Sequence, residues 1–166
     1  MFGFIKSRLD ATSPIQASQL CDQSTFYKAF LRDLSGCTRE VIIECPFMTT
    51  KRVMMLLPTL KKLTQRGVIV IINTRDPEEH EGTYKLQAYE AVADLQTLGV
   101  SVLYTARHHR KLAILDRTVI WEGSLNILSQ NDSCEIMRKI TSTALAQQMI
   151  DFLRLEKYLG GNHDRS

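Results

Sequence analysis

Apolar positions along the chain recur with two alternating periods. Phe26, Phe30 and Leu34 step by four, with Tyr27 and Leu31 beside them, which is the spacing of one helical face. Asp22 or Ser24 stands where a cap is expected, and Gly36 where the helix should stop. Glu40–Cys45 is a short apolar run closed by Pro46 and reads as a buried strand. Val53, Leu56, Leu57, Leu60 and Leu63 predict a second helix, with Lys61, Lys62, Gln65 and Arg66 on its other face and Gly67 at its end. Val68–Asn73 predicts a second buried strand, and a polar loop, Thr74–Gly82, follows. Tyr84, Ala88, Ala91, Leu95 and Leu98 mark a third amphipathic helix, stopped by Gly99, and Val100–Thr105 a third strand. This rhythm predicts an α/β fold with parallel strands joined by right-handed crossovers.

Beyond Thr105 the rhythm changes. Leu112–Asp116 and Val119–Glu122 are separated by a short turn and should pair as a hairpin, with Glu135–Ile140 as a further strand. A last helix is expected from Thr141 or Ser142, with Leu145, Met149, Phe152 and Leu153 facing inward and Gly160–Gly161 ending it. No repeat or linker interrupts the pattern. The expected organisation is an N-terminal arm or lead-in over 1–21, one domain over 22–161, and a loose charged tail over 162–166. The fold class is α/β, with a mixed, largely parallel sheet flanked by helices.

Composition narrows the class without naming a function. The 166 residues are 44% hydrophobic and 23% charged, which excludes disordered and low-complexity chains. A net charge of +3 permits an anionic partner without demanding one. No stretch approaches the roughly 18 apolar residues of a membrane span. The opening Met-Phe-Gly-Phe-Ile has its charges, Lys6 and Arg8, after the apolar residues, unlike a signal peptide. A cytoplasmic protein without stable membrane insertion is expected. Cys21, Cys37, Cys45 and Cys134 lack tight spacing, so neither a disulfide framework nor a zinc site built with His80, His108 and His109 is supported.

The chemistry concentrates in Arg107-His108-His109-Arg110-Lys111. Strand side chains alternate, so His109 and Lys111 should project from the same side, while Asp116 has the opposite parity. An imidazole beside an ammonium suits a phosphate: lysine supplies charge, and histidine acts as nucleophile or proton donor near neutral pH. Downstream, Ser124 and Asn126 share parity, and both can donate hydrogen bonds to an anion. Glu135 stands where it could hold one imidazole nitrogen. His108 reads as a solvent-facing neighbour, and Glu78-Glu79-His80-Glu81 as a solvated acidic loop.

Together these residues form His109-x-Lys111-x4-Asp116, then six residues, then Gly123-Ser124-x-Asn126. The pattern resembles the HKD signature of the phospholipase D superfamily. The resemblance implies two motifs in one active site, one histidine forming a phosphohistidine while the other protonates the leaving oxygen, with no metal or other cofactor. It casts His109 as nucleophile or general acid, Lys111 and Asn126 as phosphate ligands supported by Ser124, and Glu135 as the group orienting His109. Asp116 belongs to the motif, but its parity points to a structural or ion-pairing role. No second H-x-K occurs, so the resemblance implies a homodimer with the active site at its two-fold interface, as in single-motif bacterial nucleases of the superfamily.

Three substrate readings follow. A nuclease, most simply an endonuclease, would cleave DNA or RNA, with Lys51, Arg52, Arg107 and Arg110 as candidate backbone contacts. Lys51 and Arg52 follow a strand end where ligands gather in α/β sheets, yet they also read as a plain charged helical turn. A lipid phosphodiesterase or phosphatidyl transferase would need an interfacial apolar loop, and Pro46-Phe47-Met48 is short. A catalytically silent module would use the phosphate site only to dock nucleic acid.

Overall fold

The computed structural model describes residues 14–159. Its elements run β1 (Ala17–Asp22), α1 (Phe26–Ser35), β2 (Glu40–Glu44), α2 (Thr50–Gln65), β3 (Ile69–Thr74), α3 (Gly82–Thr97), β4 (Ser101–Tyr104), β5 (Leu112–Leu115), β6 (Val119–Gly123), β7 (Ile136–Thr141) and α4 (Thr143–Leu153). The strands form one sheet in the order β1-β7-β6-β5-β2-β3-β4. Pairing is parallel only along β2–β3–β4, where helices make the crossovers. The remaining pairs are antiparallel. The sheet is therefore mixed as expected, but not largely parallel, because the short turn between β5 and β6 permits only a hairpin.

Alternation within β2 explains the two cores. Val41 and Ile43 join the cluster beneath α1, α2 and α3, whereas Ile42 joins the smaller cluster beneath α4. A strand covered on both faces reads as a continuous apolar run, which is how Glu40–Cys45 looks in the sequence. Trp121 of β6 fills the larger core, with Phe26 packed edge-on at 5.3 Å.

Several expectations are corrected. The lead-in contains a strand: Ala17–Asp22 pairs antiparallel along the whole of β7. Only Cys21 of those six residues is buried, so no apolar alternation announces it. Residues 1–13 and 160–166, including the expected tail, lie outside the described residues. Helix α4 turns Ala146 and Ile150 to the sheet; Phe152, about 200° further round the helix, is 74% exposed rather than inward-facing. The acidic loop holds a one-turn 3₁₀ helix, Pro77–Glu79, and a buried His80. No helix among the described residues is long and apolar enough to cross a membrane.

The ends of β2, β3 and β4 open on the same edge of the sheet as the start of β5 and the end of β6, since Glu44 is opposite Leu112 and Leu112 opposite Glu122. Gly123 closes β6 in tight contact with β7. A Cβ there would lie 2.0 Å from the Ile136 carbonyl oxygen and 2.9 Å from the Met137 Cα.

Candidate active site

His109 and Lys111 occupy the loop that leads from β4 into β5. The Lys111 Nζ stands 2.9 Å from the His109 Nδ1 and donates to the His109 carbonyl at 3.0 Å. An ammonium can only donate, so Nδ1 accepts and a neutral imidazole carries its proton on Nε2. Burial, aided by the nearby Arg75, lowers the Lys111 pKa, while Cys45 and Glu135 oppose the shift. Both side chains border an open depression of about 530 Å³ at the edge of the sheet.

Beneath this pair is an interior that the sequence reading missed. His108 is not solvent-facing: it is 3% exposed, and its Nε2 meets the Glu44 Oε2 at 2.5 Å. Its ring turns into the protein while the adjacent His109 stays exposed. The same Glu44 oxygen accepts from the Arg110 Nε at 2.7 Å, and Oε1 accepts from the Asn73 Nδ2 at 3.0 Å. Asn73 in turn accepts from the Thr105 hydroxyl, and the Arg75 Nε donates to the His108 carbonyl at 2.6 Å. Burial alone would raise the Glu44 carboxyl, but hydrogen bonds from His108, Asn73 and Arg110 outweigh it and hold the pKa below the ordinary value. Residues 108 and 110, on either side of His109, are thus anchored to one buried carboxylate. The available signal was a glutamate inside an otherwise apolar strand, which needs a partner to be buried.

The second half of the constellation lies on the loop after β6. Ser124 N–H donates to the Ile136 carbonyl, and its Oγ accepts from Ile136 N–H at 3.1 Å. The Asn126 carbonyl accepts from the backbone of Ser129 and Gln130, while its side-chain Oδ1 is buried without a partner among the described residues. That amide is not committed to the fold. Glu135 sits with the Ser124 and Ser133 hydroxyls, which lower its pKa with help from Lys111. No hydrogen bond joins it to His109, whose Nδ1 faces Lys111 instead, so the expected orienting contact is absent from this arrangement.

Asp116 lies at the far end of β5, roughly 15 Å from Lys111 at strand rise. Its carboxylate accepts from the backbone N–H groups of Thr38, Arg39 and Glu40 at 2.9, 2.9 and 3.1 Å. Asp116 and Arg117 both adopt positive φ in the hairpin turn. These bonds fasten the hairpin turn to the segment entering β2, and Asp116 is not brought to the His109 group.

The four basic candidates divide. Lys51 is exposed on the first turn of α2, and Arg107 is exposed beside the His109 loop. Arg110 is tied to Glu44 but keeps 41% of its side chain exposed. Arg52 is otherwise engaged: its Nε donates to the Gln130 carbonyl at 2.5 Å and its guanidinium covers the Tyr27 ring at 4.3 Å. With the Tyr27 hydroxyl donating to the Ile127 carbonyl, it fastens the Asn126 loop to α1 and α2. Among the described residues no three His, Cys, Asp or Glu side chains converge as metal ligands.

The family model for the cardiolipin synthase, PLD-like domain matches residues 30–155. A comparison with curated protein sequences finds no match. Among solved structures, the chain is similar to Nuc from Salmonella typhimurium, a phospholipase D family member, with a TM-score of 0.69 at 16% identity, covering 87% of this chain and 96% of that one. NucT from Helicobacter pylori gives 0.66 at 17% identity, covering 87% and 98%. TrmBL2, an archaeal chromatin protein with a described mode of DNA binding, gives 0.58 at 11% identity, covering 89% of this chain and 54% of that one.

Proposed function

The chain belongs to the phospholipase D-like domain family, and from that premise we propose that it is a metal-independent phosphodiesterase, a nuclease whose active site is completed by a second copy of itself. The observation that carries this reading is the His109–Lys111 pair, 2.9 Å apart at an open sheet edge. A diester phosphate takes Lys111 as its charge partner and draws the ammonium away from Nδ1. Water then takes the Nε2 proton and returns one to the freed Nδ1, and the bare Nε2 attacks phosphorus. The phosphorus–oxygen bond to the leaving group breaks as His109 of the partner subunit protonates that oxygen. Water then attacks the phosphohistidine, giving its proton back to the same partner histidine, and the nitrogen–phosphorus bond breaks. Lys111 and the uncommitted Asn126 amide stabilise the added charge on phosphorus, and Ser124 holds the loop. Exposed Lys51, Arg107 and Arg110 contact the nucleic-acid backbone. A nucleic-acid substrate agrees with the cytoplasmic location expected from the sequence.

The test is cleavage of DNA and RNA in excess EDTA by wild type and His109→Ala, with mass measured in solution. Persistent cleavage by wild type, its loss by at least about a thousandfold in the variant, and a species of twice the 18.9 kDa chain mass are expected. Full activity in a strict monomer would overturn the shared site. Release of phosphatidate from vesicles without nucleic-acid cleavage would assign a lipid substrate instead. The likeness to the chromatin protein TrmBL2 favours a second reading, docking on DNA without turnover; tight, salt-sensitive binding with no cleavage would establish it.

A further inference from the structure

Beside the phosphate group of residues lies a second cavity of about 540 Å³ that the reaction above does not use. Asn126, assigned above to the phosphate, also lines it, and Phe47, Arg75, His80 and Tyr84 form much of the remaining wall. Arg75 ties the cavity to the catalytic loop through the His108 carbonyl, one residue from His109. Its guanidinium lies over the Phe47 ring at 5.0 Å, and its two Nη groups have no hydrogen-bond partner among the described residues. The His80 ring packs against the other edge of this arrangement, 5.3 Å from Phe47. It is 8% exposed, yet neither ring nitrogen is hydrogen-bonded among the described residues. Burial and the Arg75 charge lower the His80 pKa, against the pull of Glu79 and Asp76. The ring therefore offers one donor and one acceptor in place of a charge. Tyr84, 56% exposed on the first turn of α3, places an aromatic face at the rim.

A second phosphate is a poor occupant, because the carboxylates of Glu79 and Glu81 also line the cavity. A flat, uncharged ring with mixed donors and acceptors suits it better. Aromatic faces stack any base, an uncharged imidazole reads a base edge, and carboxylates accept from exocyclic amino groups. We infer that this cavity is a nucleobase subsite, holding the base of the nucleotide next to the phosphate seated on Lys111 and Asn126. The inference deepens the proposed nuclease reading and rests on it for the substrate class. It also restricts that class: a base reaching the cavity is unstacked from its neighbours, so the preferred substrate is single-stranded or locally opened.

The test is a titration of the whole chain with AMP and, separately, with ribose 5-phosphate, following the histidine ring resonances by NMR. The His80 signal is identified by its loss in His80→Asn. AMP is expected to move that signal and ribose 5-phosphate to leave it in place. Tyr84→Ala, at an exposed position, should bind AMP roughly tenfold more weakly, the loss expected for one base–aromatic stack. Equal shifts with both probes, or no His80 shift with millimolar AMP, would overturn the subsite. A His80 response to AMP in a chain that cleaves no nucleic acid would sustain the subsite and sink the nuclease. EDTA-resistant cleavage without a His80 response would do the reverse.

Discussion

At one end of β5, Asp116 receives three backbone N–H groups, and the neighbouring Arg117 bridges Glu40 at 2.6 Å and Glu156 at 2.9 Å. At the other end, the Lys111 ammonium hydrogen-bonds only to His109 among the described residues, and Asn126, on the loop after β6, keeps a buried oxygen without a partner there. Both ends belong to one sequence motif, yet one closes the fold and the other is left incomplete. Buried polar groups are ordinarily satisfied, so the incomplete end is where a ligand has something to contribute. Completeness of hydrogen bonding separates the roles that the motif's letters run together.

Lys111→Met should break the comparison most sharply. Removing the cation hydrogen-bonded to His109 should lower phosphodiester cleavage by about a hundred- to a thousandfold. Folding stability should hold or rise slightly, because burial already disfavours the lysine's charge; urea unfolding alongside turnover checks both. Glu44→Gln probes the floor of the same end. Leaving His108 and Arg110 without their shared carboxylate should cost about 3 kcal/mol, seen as a lower urea midpoint.

The pH dependence follows from the same group. Glu44 has a folded pKa below its ordinary 4.5 and Asp116 one below 3.8, so each contributes stability that is fully present above those values. That contribution is lost as pH falls through the lower folded-state values. Glu44→Gln should therefore flatten the acid limb of a stability–pH curve below about pH 4.5. The smallest effect is expected at the closed end. Asp116→Asn should lower stability by about 2 kcal/mol, since an amide cannot serve all three N–H donors as a carboxylate does. Turnover per folded molecule should stay within a few-fold of wild type; a loss matching that of Lys111→Met would erase the distinction between the ends.

Local periodicity made most of the fold legible. Phe26, Phe30 and Leu34 are the buried face of α1, and Val53, Leu56, Leu60 and Leu63 that of α2, because helical spacing alone decides which side meets a sheet. Alternation along an assumed strand also grouped Lys111 with His109 and set Asp116 apart; in the structure the first two meet in the loop before β5, and Asp116 lies beyond its far end. Periodicity stopped at contacts between distant segments. Glu44 and His108 are 64 residues apart, and nothing local pairs them, so His108 read as exposed. Arg52 read as free for a phosphate because its partners, Tyr27 and Gln130, come from elsewhere in the chain. β1 escaped notice for a different reason: its backbone pairing with β7 leaves most of its side chains exposed, so composition carries no trace of it.

Gly123 bears on how freely this site can vary. The 2.0 Å separation between a notional Cβ and the Ile136 oxygen means that even alanine would have to push β6 off β7. Ser124 and Asn126 follow immediately, so the displaced strand would carry them along. Random mutagenesis should therefore find this position closed to every other residue, although its own atoms take no part in the chemistry. The distance between the loop and the His109 pair is set by a missing side chain, and a lineage could change it only by rebuilding the strand pair in the same step.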